Sequence, residues 1–272
     1  MNVKDLSFLK NTFQNALSQV ENDELCIATL KRKFIHSQKV WQNGLMLIKS
    51  GEVPYCNIDE FEKQCEQALI FHDIGRFEEV VLSYKNKNLR LFGQKYDHGV
   101  LGSQILAQTQ NYNDIKIILS VRHHGHMIES FYNDPEYQNL EPEAQKQCTA
   151  MIKLVRDADK LDLYRLHNET NSLENDVFFH CLPEKLKYQT VSEAVQQQFF
   201  AAQTIRHSDI KTMSDRILGC ISWQFDFNYP LTLKIYHQRG YFETLIKLFN
   251  KYCPDKSLAD KVIDFIENKK EC

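Results

Sequence analysis

Glycine and proline are scarce in this chain of 272 residues, 9 and 6 respectively, which argues against an architecture of short strands joined by tight turns. No stretch approaches the roughly 18 consecutive apolar residues that cross a bilayer, and the opening Met1 to Lys10 lacks the apolar centre of an export signal. A cytoplasmic protein is the expectation. Positive charge is not in excess either: 33 Lys and Arg against 36 Asp and Glu leave a net charge of -3, no footprint for general nucleic-acid or anionic-membrane binding. The partner expected is a small molecule, with an oligomer contact left open. Eight cysteines are present, yet none forms a Cys-x-x-Cys pair. They read as reduced thiols filling core positions, and a zinc ribbon is disfavoured.

What remains is a helical pattern. Hydrophobic residues at 43% and charged residues at 25% suit a globular core, and the apolar spacing predicts an all-α fold. Ile27, Leu30, Phe34, Trp41, Leu45 and Ile48 form one stripe of a helix over 24–50. Asn57 or Asp59 can cap the next helix, whose stripe Phe61, Cys65, Ala68, Leu69 leads to His72. Further helical spacing covers about 98–110, 113–124, 142–168, 189–206, 209–224 and 256–269, with shorter apolar pieces between 229 and 250. A polar loop is expected from Ser83 to Tyr96, carrying Lys85, Lys87, Arg90 and Lys95. The expected organisation is a core of residues 1–168 and a helical extension, 169–272, packed on it as a cap within one structural domain. The polar stretch 169–190 is the weakest place for a boundary.

The chemistry concentrates at His72-Asp73, inside Ala68-Leu-Ile-Phe-His-Asp-Ile-Gly-Arg-Phe77. Burying an imidazole and a carboxylate together is costly unless a cation or strong hydrogen bonds hold them, and a carboxylate has two oxygens with which to bridge two cations. Single histidines elsewhere, His36 beside Val40 and Leu47 or His98 ahead of Leu101 and Ile105, read individually as ordinary core residues. In Arg122-His-His-Gly-His126, His124 continues the face of Ile117 and Val121, while His123 follows Lys116 and Ser120. His124 is the better inward ligand, His123 a second ligand or a proton donor, and His126 a polar loop residue. In Leu154 to Asp162, Asp159 shares a face with Val155 and Asp162, leaving Asp157 as the reserve ligand or a solvated partner of nearby lysines. Inward groups at 36, 72/73, 98, 124 and 159 on separate helices are more economically one cation site than five unrelated accidents.

This order of motifs resembles the HD-domain superfamily of metal-dependent phosphohydrolases: a His, an adjacent His-Asp, and a distant Asp, here His36, His72, Asp73 and Asp159, over about residues 25–168. The resemblance implies a helical bundle. Members with extra histidines, similar to this chain at His98 and His124, hold two metals. The implied sites are one metal at His36, His72, Asp73 and Asp159, and another at Asp73, His98 and His124. Imidazole and carboxylate ligands suit Fe, Mn, Co, Ni or Zn alike. A metal-activated hydroxide would then hydrolyse a phosphomonoester or phosphodiester of a nucleotide-like substrate. Arg76 is placed to grip a phosphate, Lys85, Lys87 and Lys95 to add positive potential, and His123 and Lys160 to serve the leaving oxygen. Gly125-His126-Met127-Ile128 stands where cyclic-di-nucleotide phosphodiesterases of this class carry Gly-Tyr-Pro, so that substrate is not supported. Phe225-Asp-Phe-Asn-Tyr229 looks like C-terminal segments of some bacterial members. Two other functions fit the same ligand pattern: a di-iron oxygenase, and a nucleotide-binding or sensing module with vestigial turnover.

Overall fold

The computed structural model describes residues 3–20, 22–87 and 95–270. These are helical, with no strand among the described residues. The chain divides into two compact units, Met1–Asp162 and Leu163–Cys272. Arg90, one of the expected loop cations, lies outside the described residues.

The first unit contains α1 (Val3–Leu17), α2 (Glu24–Lys49), α3 (Asp59–Phe71), α4 (Gly75–Lys85), α5 (His98–Ala107), α6 (Ile115–His123), two short helices, α7 (Ile128–Tyr132) and α8 (Pro135–Gln138), and most of α9 (Pro142–Thr170). Four of these starts are fixed by aspartates accepting from the first turn: Asp23 from Cys26 N at 2.8 Å, Asp97 from Val100 N at 3.1 Å, Asp114 from Lys116 N at 2.8 Å and Asp134 from Glu136 N at 2.8 Å. The expected cap of α3 is corrected. Ile58 occupies the N-cap and no side chain bonds there; three acidic residues in the first turn complement the helix dipole instead. The loop expected from Ser83 is also shortened, because α4 continues to Lys85.

Within this unit α5 packs on α4 and α6, α3 on α2 and α6, and α1 against α2, α3 and α4. The covering of α2 on several sides shifts its buried centre from the stripe that spacing alone favours. Leu30, Val40 and Leu47 are fully buried with His36 among them, while Ile27, Phe34, Trp41 and Leu45 remain half-buried. On α3 the expected stripe holds: Phe61, Cys65, Ala68 and Leu69 are all buried.

Close helix approach explains the glycine of His-Asp-Ile-Gly. A Cβ on Gly75 would come within 2.0 Å of the His98 carbonyl oxygen and 2.4 Å of Gly102 N. Gly99, in turn, leaves only 2.3 Å between a Cβ and the Arg122 carbonyl oxygen. The starts of α4 and α5 and the end of α6 are therefore in backbone contact, which only glycine permits.

The second unit opens with the last residues of α9 and continues through α10 (Val177–Cys181), α11 (Glu184–Lys187), α12 (Glu193–Phe200), α13 (Met213–Ser222), α14 (Pro230–Gln238), α15 (Tyr241–Tyr252) and α16 (Lys256–Lys270). Its aromatics pack on one another: Phe199 lies 5.2 Å from Phe225 and 5.7 Å from Phe265, and Tyr164 lies 4.6 Å from Tyr236. α13 begins with a reciprocal capping box of Thr212 and Asp215. The buried Asp215 carboxylate also accepts from Ser192 N at 2.7 Å and Lys211 N at 3.0 Å, tying two loops to that helix start. No helix among the described residues is long and apolar enough to cross a membrane.

Candidate metal centre

Five elements deliver the polar groups. α2 carries His36; His72 caps the end of α3 and Asp73 follows in the turn to α4; His98 opens α5; His124 caps the end of α6; Asp159 lies on α9. The turn is held by Ile74 N to Phe71 O at 3.0 Å and Arg76 N to Asp73 O at 2.9 Å, so helical pairing nearly continues across the break and both side chains stay turned inward. His36, His72, Asp73 and His124 are at most 5% exposed.

The two oxygens of Asp73 face different imidazole pairs. Oδ2 lies 3.5 Å from His36 Nε2 and 3.9 Å from His72 Nε2, while Oδ1 lies 3.4 Å from His98 Nε2 and 3.5 Å from His124 Nε2. Within each pair the nitrogens approach to 3.2 Å. Asp159 Oδ1 completes the first group, 3.1 Å from His36 Nε2 and 3.8 Å from His72 Nε2. Ligand atoms about 2.1 Å from one shared cation, at octahedral or tetrahedral angles, stand about 3.0–3.4 Å apart. Most of the spacings fall within a few tenths of an ångström of that range, so the residues present fit divalent cations. His36, His72 and Asp159, and again His72, Asp73 and His124, converge closely enough to share one.

Hydrogen bonding at the far side of each ring makes the same point. Nδ1 of His72 lies 2.9 Å from Leu69 O and Nδ1 of His124 lies 2.8 Å from Val121 O. A carbonyl only accepts, so each Nδ1 carries the proton and a neutral ring turns a bare lone pair at Nε2 into the centre. His36 Nδ1 lies 2.6 Å from Asp162 Oδ2, so this ring also keeps a proton at Nδ1. Lone pairs that face one another across 3.2 Å repel unless a cation or proton lies between them.

Charge follows this arrangement. Burial opposes charge on His36, but hydrogen bonds to Asp159 and Asp162 outweigh it and raise its pKa to about 9. Burial dominates at His72 and lowers it to about 4, despite Asp73 and Asp159. Burial, then Arg76, depresses His98. Asp73 is held well below the ordinary carboxylate range: burial opposes this, and Lys33, His72 and Arg76 overcome it. Asp159 is likewise depressed, its burial outweighed by His36 and His72.

Other expected residues are placed less centrally. Arg76 sits beside the centre, with Nε 3.4 Å from Asp73 Oδ1 and Nη1 2.8 Å from Glu79 Oε2. Its guanidinium is thus already engaged by protein carboxylates. His123 Nε2 lies 2.7 Å from Asp134 Oδ2, which also accepts from Arg122 at 3.0 Å; this separate group is where the structure puts His123. His126 pairs with Asp97 at 2.9 Å. Asp157 is fully buried, which overturns its reading as a solvated ion pair; Lys160 is 9% exposed. Lys85 bonds Gln19 at the far end of α4, about 15 Å along the helix from Gly75 at 1.5 Å per residue. Lys87 is exposed beyond it, and Lys95 lies over the Tyr96 ring at 5.2 Å. The contacts the structure gives Lys85 and Lys95 are thus with Gln19 and Tyr96.

Three residues that sequence reasoning did not assign are built into the centre. Lys33 donates to Asp73 Oδ2 at 2.9 Å, Asp162 holds His36, and Arg156 donates to His124 O at 3.0 Å and to His126 O. Lys33 and Asp162 each stand three positions from a ligand, on its own helix face. That spacing turns both toward the centre without naming the residue each meets there.

Residues 34–164 match the family model of the HD domain, and this segment of the chain is an HD domain. The superfamily is one of metal-dependent hydrolases. No curated protein and no solved structure matches the chain.

Proposed function

We propose that the HD domain is a phosphohydrolase using two divalent cations to cleave a phosphomonoester or phosphodiester bond in a small, nucleotide-like substrate. The observation that carries this reading is the division of Asp73, one oxygen toward His36 and His72 and the other toward His98 and His124. In this assignment His36, His72, Asp73 and Asp159 hold one cation, and Asp73, His98 and His124 hold the second. Bound cations supply Lewis acidity, lowering the pKa of water and offsetting the charge that builds on phosphoryl oxygens.

The chain's own residues do the rest. Asp162, Leu69 O and Val121 O each hold a proton at Nδ1, of His36, His72 and His124 respectively, so that Nε2 is the atom each ring presents to a cation. Lys33 and Arg76 orient the Asp73 carboxylate and put positive charge beside it, where an anionic ester would enter. Arg76 keeps the phosphate-gripping role, since its side chain remains 19% exposed at this position. His123 is left out of this assignment, its Nε2 being held by Asp134.

The test is elemental analysis of anaerobically purified protein together with a screen of nucleotides, cyclic nucleotides and nitrophenyl phosphate mono- and diesters. Retained metal and ester hydrolysis that chelation abolishes are expected. Hydrolysis indifferent to chelation would overturn the metal mechanism. An activity requiring dioxygen would replace it with oxygenase chemistry.

A further inference from the structure

Away from the metal centre, two thiols lie side by side. Cys56 Sγ and Cys65 Sγ are 4.0 Å apart and in hydrogen-bond contact. Elsewhere among the described residues, cysteine sulfurs contact oxygen or nitrogen: Cys148 reaches Lys116 O, Cys220 reaches His167 and Cys253 reaches Asp255 O. The two members of the pair differ in access. Cys56 is half-buried in the turn before α3, whereas Cys65 is fully buried in the second turn of that helix.

The geometry points to Cys56 and Cys65 as a dithiol site that closes to an intramolecular disulfide in exchange with a small-molecule disulfide of the glutathione class. Closure to the bonded distance of about 2.05 Å requires the sulfurs to approach by roughly 2 Å. Cys65 is held by α3, so Cys56 must make that movement. Its turn is suited to do so: Gly51 (φ 77°) and Tyr55 (φ 66°) adopt left-handed backbone on its N-terminal side, and Ile58 N to Tyr55 O at 2.9 Å is the bond that closes it.

Reactivity is divided in the same direction. Contact with Cys65 lowers the Cys56 pKa against an opposing effect of burial, while burial and Cys56 push the Cys65 thiol well above its ordinary value. Cys56 is therefore the attacking thiolate and Cys65 the resolving thiol. The Cys56 thiolate attacks one sulfur of the small disulfide, whose S–S bond breaks and releases one thiolate. Cys65 then attacks the Cys56 sulfur and the second small-molecule sulfur departs, taking the Cys65 proton as it leaves as a thiol. Two protein thiols are oxidised and one small disulfide is reduced to two thiols.

Lys63 lies between the cysteines, which gives a direct readout. After oxidation of the full chain with oxidised glutathione and alkylation of remaining thiols, trypsin should release Ser50–Lys63 joined to Gln64–Arg76. Dithiothreitol should separate the two peptides, and thiol titration of the denatured protein should show a loss of two thiols from eight. Cys56→Ser, at the half-buried position, should abolish the linked pair. Cys65→Ala should instead leave Cys56 as a stable mixed disulfide. A lasting mixed disulfide on Cys56 in the unsubstituted chain, or cross-links distributed over other cysteines, would overturn the assignment; the unsubstituted chain decides this even if a variant fails to fold.

Discussion

His36 Nδ1 and Asp162 Oδ2 stand 2.6 Å apart, both side chains no more than 2% exposed. The carboxylate fixes which ring nitrogen carries the proton and aims Nε2 at His72, Asp73 and Asp159. With Asp159 it also raises the His36 pKa to about 9, so Nε2 holds a second proton near neutral pH that a bound cation would displace, and the first imidazole of the HD motif is governed by a residue from the other end of the domain.

Asp162→Asn keeps the shape but can offer its NH2 group, which would favour the wrong tautomer. A loss of about 10–100-fold in metal affinity is expected, the usual effect of removing such a partner. Competition with a fluorescent chelator would measure it, and unchanged affinity would reduce Asp162 to a packing role.

Asp73→Ala should remove bound metal and ester hydrolysis together, because the carboxylate faces both imidazole pairs. His98→Ala separates the two positions: elemental analysis should find about half the metal of the unsubstituted protein if the sites fill independently. Full metal content with normal turnover would return His98 to a structural residue.

Gly75→Ala tests the helix contact that sets His98. Its Cβ would meet the His98 carbonyl oxygen at 2.0 Å, and backbone cannot rotate aside as a side chain does. Destabilisation on the order of 1–3 kcal/mol or more is expected from overpacking. Thermal melting reads it, with a parallel loss of metal at the His98 and His124 position.

Chelation should lower the melting temperature of the purified protein and added divalent cation should restore it. A cation present at 100 times its Kd stabilises the folded state by about 2.7 kcal/mol. Identical melting curves with and without chelator would mean that the imidazole cluster does not bind the added ion.

A pH effect is also expected in the second unit. His167 bonds Ser172 Oγ at 2.5 Å, and burial, followed by Arg216, lowers its pKa from 6.5 to about 3. The unfolded chain then takes up a proton near pH 6.5 that the folded chain refuses until about pH 3. Stability contributed by the neutral ring is present above pH 6.5 and is lost progressively as pH falls toward 3. Urea midpoints between pH 7 and 4 should fall more steeply for the unsubstituted chain than for His167→Gln.

Much of the centre was legible because metal ligation and helix period impose local patterns. Asp159 over Asp157 and His124 over His123 follow from which face continues the apolar stripe, and the structure brings Asp159 and His124 to His72. The three loop lysines were less legible: positive charge near a motif in sequence says nothing of direction, and α4 carries Lys85 away from the turn. Lys33 was missed because an ion pair across 40 residues has no local signature.

The sequence by itself determined the helical class, the run of α2 from Glu24 to Lys49, and the inward face of α3 ending at His72, since each depends on period and composition within one segment. It also contained the order His36, His72-Asp73, Asp159 that marks the HD domain. Only the tertiary structure decided that Asp73 divides its oxygens between two imidazole pairs, that Asp162 and Lys33 govern His36 and Asp73, and that Gly75 must lack a side chain. Those relationships are distances between atoms on different helices, fixed by how closely the helices pack, and no spacing along one helix encodes them.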